Sequence, residues 1–119
     1  MKKILITGGS GYVGTRLINK LLKETDLTIV NYDISLFGDK HLPSNPKFIY
    51  CKEDITDPKK FKEAISENNI DTVLHLACIS NDPTYELNSE LSKKINYECF
   101  EDLVKISKEN NVKKFIYAS

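Results

Sequence analysis

The sequence lacks the features that mark membrane-spanning, secreted and nucleic-acid-binding chains. Its 17 acidic and 17 basic side chains leave no net charge, so no overall field would draw the chain to nucleic acid or to a membrane surface. No apolar run approaches the length of a membrane span, and Lys2 and Lys3 lead straight into a short strand pattern instead of the apolar core of a signal peptide. We therefore expect a cytoplasmic protein without nucleic-acid or membrane partners.

Cysteine and histidine are also scarce. The three cysteines, Cys51, Cys78 and Cys99, are odd in number and widely separated, which argues against a disulfide framework and against a zinc site. The two histidines lie far apart and show no metal-ligand spacing, so we expect His75 to pack in the core. These patterns predict reduced, mostly buried thiols and no metal site.

The most informative pattern that is present is a glycine-rich run, TGGSGYVG at residues 7–14, placed directly after an apolar strand pattern. Gly8 can adopt backbone angles that a side chain forbids, Gly11 lets the main chain approach a pyrophosphate, and Gly14 lets the following helix pack tightly against the strand. The N–H groups and the positive dipole end of that helix would face the phosphates. The run predicts a dinucleotide site; the alternative is a glycine-rich turn without a ligand. The apolar positions with helical spacing that follow are Val13, Leu17, Ile18, Leu21 and Leu22.

A second signal is an acid at the end of the next strand pattern. Asp33 lies about 20 residues beyond the last glycine of the run, where a carboxylate can accept hydrogen bonds from the adenosine ribose hydroxyls. A 2'-phosphate would meet a like charge there, and Ile34, Ser35 and Leu36 supply no basic side chain to hold it. Asp33 therefore favours NAD over NADP. The alternative interpretation is a solvated acid in a turn.

Strand and helix patterns alternate along the chain. This order predicts a single α/β domain with a doubly wound parallel sheet and right-handed crossovers. Asp57 is the expected N-cap of the second helix, and Pro58 fits its first turn. Glycine and proline between residues 34 and 46 predict a loop. Strand patterns cover residues 2–7, 27–33, 47–51, 72–77 and 114–118, and helical patterns cover 12–24, 58–68 and 89–110.

Taken together, the motifs resemble a known family. The glycine run and Asp33, followed by EDITD at 53–57, HLA at 75–77, Asn96 and KFIYAS at 114–119, resemble the N-terminal half of the extended short-chain dehydrogenases/reductases of the nucleotide-sugar epimerase and dehydratase group. The resemblance spans the whole chain, and the first glycine gap is wider than in G-x-G-x-x-G, as is typical of this superfamily. It implies an NAD(P)-binding Rossmann fold, here truncated after the fifth strand. Residues 1–119 would then be an incomplete dinucleotide-binding domain.

The same resemblance implies a set of cofactor-binding residues. Asp54 would bind the amino group of the adenine and Ile55 the ring face, although a strand-end acid with an apolar core neighbour is an equal alternative. Ala77 and Cys78 take the place of two small residues beside the cofactor, and Asn96 would help to organise the active site. The implied cofactor is NAD, and its full set of contacts is Gly8, Gly11, Tyr12, Val13, Gly14, Asp33, Asp54, Ile55, Leu76, Ala77, Cys78 and Asn96.

The catalytic pair of the family is missing. Enzymes of this family use a tyrosine and a lysine four residues later to exchange a proton with a sugar hydroxyl while hydride moves to or from nicotinamide. None of the six tyrosines has a lysine at that spacing, so no catalytic residue is assigned. We expect the NAD-binding part of a nucleotide-sugar epimerase or dehydratase, inactive alone and homodimeric when full length, whose missing C-terminal part binds the nucleotide sugar. The alternative is a non-catalytic NAD-binding sensor or interaction module.

The last strand pattern carries a physical consequence. A sheet that ended there would leave Phe115, Ile116 and Tyr117 on an unprotected edge. We therefore expect this chain, when it is produced alone, to self-associate or to need its missing half; a monodisperse monomer in sedimentation at moderate concentration would count against this.

Overall fold

The computed structural model describes residues 2–9, 12–33, 45–55, 57–76 and 89–117, without the side chains of residues 12, 13 and 89–97. Five strands and three helices follow one another in it in the order that the sequence predicts, with ends within one or two residues of the predicted positions. Most of the predicted loop at 34–46 lies outside the described residues. The elements are β1 (Lys3–Thr7), α1 (Tyr12–Glu24), β2 (Thr28–Tyr32), β3 (Phe48–Cys51), α2 (Pro58–Asn68), β4 (Thr72–His75), α3 (Ser89–Glu109) and β5 (Lys114–Tyr117).

All five strands form one parallel sheet in the order β3-β2-β1-β4-β5. Strands β2 and β3 are added on one side of β1, and β4 and β5 are added on the other side. Because the direction of strand addition reverses after β3, a crevice forms outside the carboxyl ends of β1 and β4, which is where open α/β sheets bind ligands. The prediction of a doubly wound parallel sheet is confirmed.

Helices cover both faces of the sheet, and successive strand residues alternate between them. On one face, Ile18 and Leu22 of α1 pack with Ile6 and Ile29. The opposite face carries the larger cluster, where α2 and α3 meet the strands; its fully buried members include Leu5, Val30, Tyr32, Phe61, Val73 and Leu103. The two clusters hold the sheet rigid beneath its carboxyl edge.

Local chemistry sets both ends of α2. The Asp57 carboxylate accepts hydrogen bonds from the N–H groups of Lys59 at 3.1 Å and Lys60 at 3.3 Å, and Pro58 occupies the first turn. Asn69 ends the helix in the left-handed region at φ 52°. The predicted N-cap is confirmed, and the helix spans the predicted residues.

Strand β5 lies at one edge of the sheet. Ile116 and Tyr117 are each 49% exposed, whereas Phe115 packs partly against the core. The apolar edge predicted from the sequence is present in the structure, and self-association through it stays a prediction. None of the helices in the described part of the chain is long and apolar enough to span a membrane.

Candidate functional site

Three neighbouring strands end side by side at the carboxyl edge of the sheet. Thr7 of β1 is in register with Tyr32 of β2 and with His75 of β4. The residues that follow these three in the chain are Gly8, Asp33 and Leu76, each of which the sequence assigns to the cofactor site. The parallel register therefore brings together a glycine turn, a carboxylate and a strand end that are far apart in the sequence.

The turn after β1 depends on glycine at two positions. Gly8 has φ 76°, a left-handed conformation that side chains disfavour, and its N–H donates to the carbonyl of Tyr32 at 3.2 Å. A Cβ on Gly14 would lie 2.6 Å from the Cα of Gly9 and 2.7 Å from the carbonyl oxygen of Gly8. Helix α1 thus packs directly against the turn, so the predicted conformation of Gly8 and the predicted close packing at Gly14 are confirmed.

Gly9 is a position that the sequence analysis missed. A Cβ there would overlap the Asn31 side-chain oxygen and lie 2.6 Å from Cδ1 of Ile18. Both neighbours are fully buried, so neither can move aside easily. The Thr15 hydroxyl also donates to the carbonyl of Gly9 at 3.3 Å. The second of the paired glycines in TGGSGYVG could have indicated that a side chain is not tolerated there. The reason is a close contact with Asn31 of β2, which the sequence does not show.

Asp33 follows β2 directly and is half-buried. Its N–H donates to the carbonyl of Cys51 at 3.1 Å, which extends the pairing of β2 with β3 by one step. The backbone of Asp33 is therefore fixed one strand away from the glycine turn. This placement is the one that a ribose-binding carboxylate requires, and the role in binding stays a prediction.

Asp54 and Ile55 lie beyond the end of β3. Asp54 is exposed, whereas Ile55 is half-buried and packs against the larger core cluster. The Tyr32 hydroxyl donates to the carbonyl of Asp54 at 3.4 Å, and burial together with nearby carboxylates, Glu53 first among them, raises the pKa of that phenol. These contacts hold Asp54 and Ile55 against β2. They agree with the alternative in which Ile55 packs in the core, and its contact with the adenine stays a prediction.

Leu76 is held by Thr7. Its N–H donates to the Thr7 carbonyl at 3.0 Å and to the Thr7 hydroxyl at 3.1 Å, and its half-buried side chain packs against the α1 cluster.

For Tyr12, Val13 and Asn96 the structure gives the helical backbone alone. The predicted contacts Gly11, Ala77 and Cys78 lie outside the described residues, so their roles stay predictions.

His75 is 3% exposed, which confirms the expected core packing. Its Nδ1 lies 2.7 Å from the Thr7 hydroxyl, a contact that could not be predicted from the sequence. Burial lowers the pKa of the imidazole to about 4, so the ring is neutral at physiological pH. Thr7, which accepts the Leu76 N–H, is therefore also in contact with a neutral, buried histidine ring.

The two cysteines in the described residues carry free thiols. Cys99 is buried in α3 and Cys51 is half-buried at the end of β3. Burial, followed by neighbouring carboxylates, raises the pKa of both thiols. A raised pKa disfavours the thiolate, so the environments of Cys51 and Cys99 are those of inert structural thiols and not of nucleophiles.

Comparisons with known proteins agree with this geometry. The model of the NAD dependent epimerase/dehydratase family matches residues 4–119. The dTDP-4-dehydro-6-deoxyglucose reductase of Escherichia coli is 32% identical over 126 residues, which cover 98% of this chain and 38% of the reductase. The solved UDP-Glc/GlcNAc 4-epimerase from Campylobacter jejuni matches with a TM-score of 0.87 and 27% identity, over 100% of this chain and 37% of the epimerase. The Bordetella bronchiseptica enzyme WbmH, solved in complex with NAD+, gives a TM-score of 0.79 and 29% identity over 98% of this chain and 38% of that enzyme.

The extent of these matches has two consequences. The chain spans between 34% and 38% of the length of three curated relatives that it matches. The family model covers nearly all of the chain, and the parallel sheet with its helices is the Rossmann fold of the solved epimerases. The family resemblance read from the sequence is thereby confirmed, and this chain belongs to the NAD dependent epimerase/dehydratase family of extended short-chain dehydrogenases/reductases.

Proposed function

We propose that this chain binds NAD at the carboxyl edge of its sheet. The observation that carries the proposal is the close packing of α1 against the turn at Gly8, the strand–turn–helix arrangement in which dinucleotide-binding folds hold a pyrophosphate. The family is NAD-dependent, and WbmH was solved with NAD+. The residues present fit this cofactor.

Each part of the site has a distinct task in this proposal. The first turn of α1 presents N–H groups and the positive dipole end to the two phosphates, which removes the need for a basic side chain. The Asp33 carboxylate accepts hydrogen bonds from the adenosine ribose and repels a 2'-phosphate. Asp54 and Ile55 border the adenine, and Leu76 leads into the predicted lining residues Ala77 and Cys78. When bound, NAD supplies a hydride acceptor that can return the hydride.

We infer further that the whole protein acts on a nucleotide sugar, as an epimerase or dehydratase that transiently oxidises the sugar ring. Support comes from the family and from relatives such as the UDP-Glc/GlcNAc 4-epimerase. Because the chain spans about a third of these relatives, the proton-transferring and sugar-binding groups are assigned to the remainder of the protein. A homodimer in the cytoplasm is part of the same proposal.

Titration calorimetry with NAD and NADP tests the cofactor assignment. The parent protein should bind NAD more tightly than NADP. Asp33→Ala should weaken NAD binding by about tenfold to a hundredfold, because hydrogen bonds to a charged group contribute about 1.5–3 kcal/mol. NADP binding should weaken far less, since the repulsion of its phosphate is removed at the same time.

A matched control exists at the other end of the same strand. Asp26 lies before β2 at the amino edge of the sheet, fully exposed, with its carboxylate 3.6 Å from the Lys47 ammonium. Asp26→Ala removes the same charge from the protein and should leave NAD binding unchanged. Equal NAD affinity of the parent and Asp33→Ala would refute the assignment of the ribose contact.

A further inference from the structure

The Thr7 hydroxyl lies at the centre of a small network beneath the carboxyl edge. It accepts the Leu76 N–H at 3.1 Å and contacts Nδ1 of His75 at 2.7 Å. Thr7 also precedes Gly8, whose N–H donates to β2. A contact that fixes the Thr7 side chain therefore restrains β1, the glycine turn and the end of β4 together.

The protons in this network allow two arrangements. A neutral imidazole has one ring nitrogen that donates and one that accepts. The Thr7 hydroxyl has one hydrogen and two lone pairs, so it can donate to a bare Nδ1 or accept from a protonated Nδ1 while it accepts from Leu76. The contact joins the imidazole to the Thr7 hydroxyl in either tautomer. The low pKa of the buried imidazole agrees with a neutral ring.

Aromatic side chains hold the imidazole from α3 and β5. The ring of Tyr117 stacks on it, with centroids 5.6 Å apart and planes 24° apart. Phe100 and Phe115 contact the same ring at centroid distances of 6.3 and 6.2 Å. The imidazole is thus confined by packing while Nδ1 reaches Thr7, which gives His75 two separable contributions, one from ring packing and one from the hydrogen bond.

We propose that His75 is a positioning residue for the cofactor edge: its Nδ1 shares a hydrogen bond with the Thr7 hydroxyl and so holds both the Gly8 turn and the Leu76 amide in place. His75 touches no reacting atom in this role and acts through Thr7. The effect on NAD binding rests on the proposed function, whereas the effect on the turn itself does not.

Two substitutions separate the two contributions. His75→Phe keeps an aromatic ring among its neighbours and removes the ring nitrogen. His75→Asn places a side-chain amide, which can donate or accept, near the position of Nδ1 and removes most of the ring. Thr7→Val and Thr7→Ser form the matching pair on the other side of the contact, because valine lacks the hydroxyl and serine retains it.

Amide hydrogen exchange, resolved by NMR on the labelled protein without ligand, is the direct readout. In His75→Phe and Thr7→Val, exchange at the amides of Gly8 and Leu76 should accelerate by about tenfold more than at Val30 inside β2, because one hydrogen bond that restrains local opening is lost. In His75→Asn and Thr7→Ser the three amides should change together.

The results distinguish a positioning role from simple packing. If Gly8 and Leu76 exchange no faster than Val30 in His75→Phe, the proposal is overturned. Where NAD binds the parent, its dissociation constant should rise about tenfold in His75→Phe and little in His75→Asn. Selective acceleration at Gly8 and Leu76 in His75→Phe, together with a parent that does not bind NAD, would support the role of His75 and refute the proposed function instead.

Discussion

Acidification should destabilise this protein through His75. The imidazole is 3% exposed, and burial lowers its pKa from 6.5 to about 4. In the unfolded chain the same side chain is solvated and titrates near its ordinary value. Between pH 6.5 and pH 4 the unfolded state therefore binds one proton that the folded state excludes.

The sign and size of the effect follow from this difference. The free energy of unfolding rises with pH wherever the unfolded state holds more protons, so the contribution of His75 is complete above pH 6.5 and is lost as the pH falls through about 4. One unit of pKa difference corresponds to about 1.4 kcal/mol, so the shift to about 4 makes the loss about 3 kcal/mol. That is a large fraction of the stability of a small domain.

Urea denaturation at pH 7, 5 and 4 provides the assay, with His75→Phe as the reference. The variant keeps every other titratable group, including the second histidine, but lacks the buried imidazole. The parent should lose about 3 kcal/mol more than the variant between pH 7 and pH 4. Parallel pH profiles for parent and variant would refute the reasoning, because the imidazole would then titrate alike in both states.

Substitutions at three further positions test the packing and the N-cap of α2. Gly14→Ala forces a Cβ to within 2.6 Å of the Gly9 Cα, so it should cost about 1–3 kcal/mol and lower the NAD affinity; an unchanged melting temperature would contradict this. Asp57→Ala removes the cap of α2 and should cost about 1 kcal/mol in urea denaturation, whereas Asp57→Asn should cost less. Phe61→Ala empties a fully buried site edge-on to Tyr32 and should cost about 3–5 kcal/mol, against a smaller loss for Phe61→Leu.

The sequence predicted those features that depend on nearby residues. The bounds of α2 follow from an acid, a proline and an apolar face within one short segment, and the turn at Gly8 follows from the need for a left-handed residue between a strand and a helix. Both are local properties. The period of the apolar positions likewise fixed α1, because one helical face is enough to reveal it.

Contacts between distant strands could not be predicted in the same way. The Thr7 and His75 side chains are 68 residues apart in the chain and meet because β1 and β4 are neighbours in register. The crowding of Gly9 by Asn31 depends on the pairing of β1 with β2. A periodic pattern shows which face a residue occupies but not which residue of another strand lies opposite, so these parts of the site required the structure.

The measurement that tests the account most directly is an NMR titration of the labelled protein with NAD. The amides of Gly8, Asp33 and Leu76 should shift together as NAD is added, because they end or follow adjacent strands at the carboxyl edge. Those of Asp26 and Asp71 at the amino edge should stay in place. Absent shifts, or shifts confined to the amino edge, would contradict the claim that this edge is the NAD site.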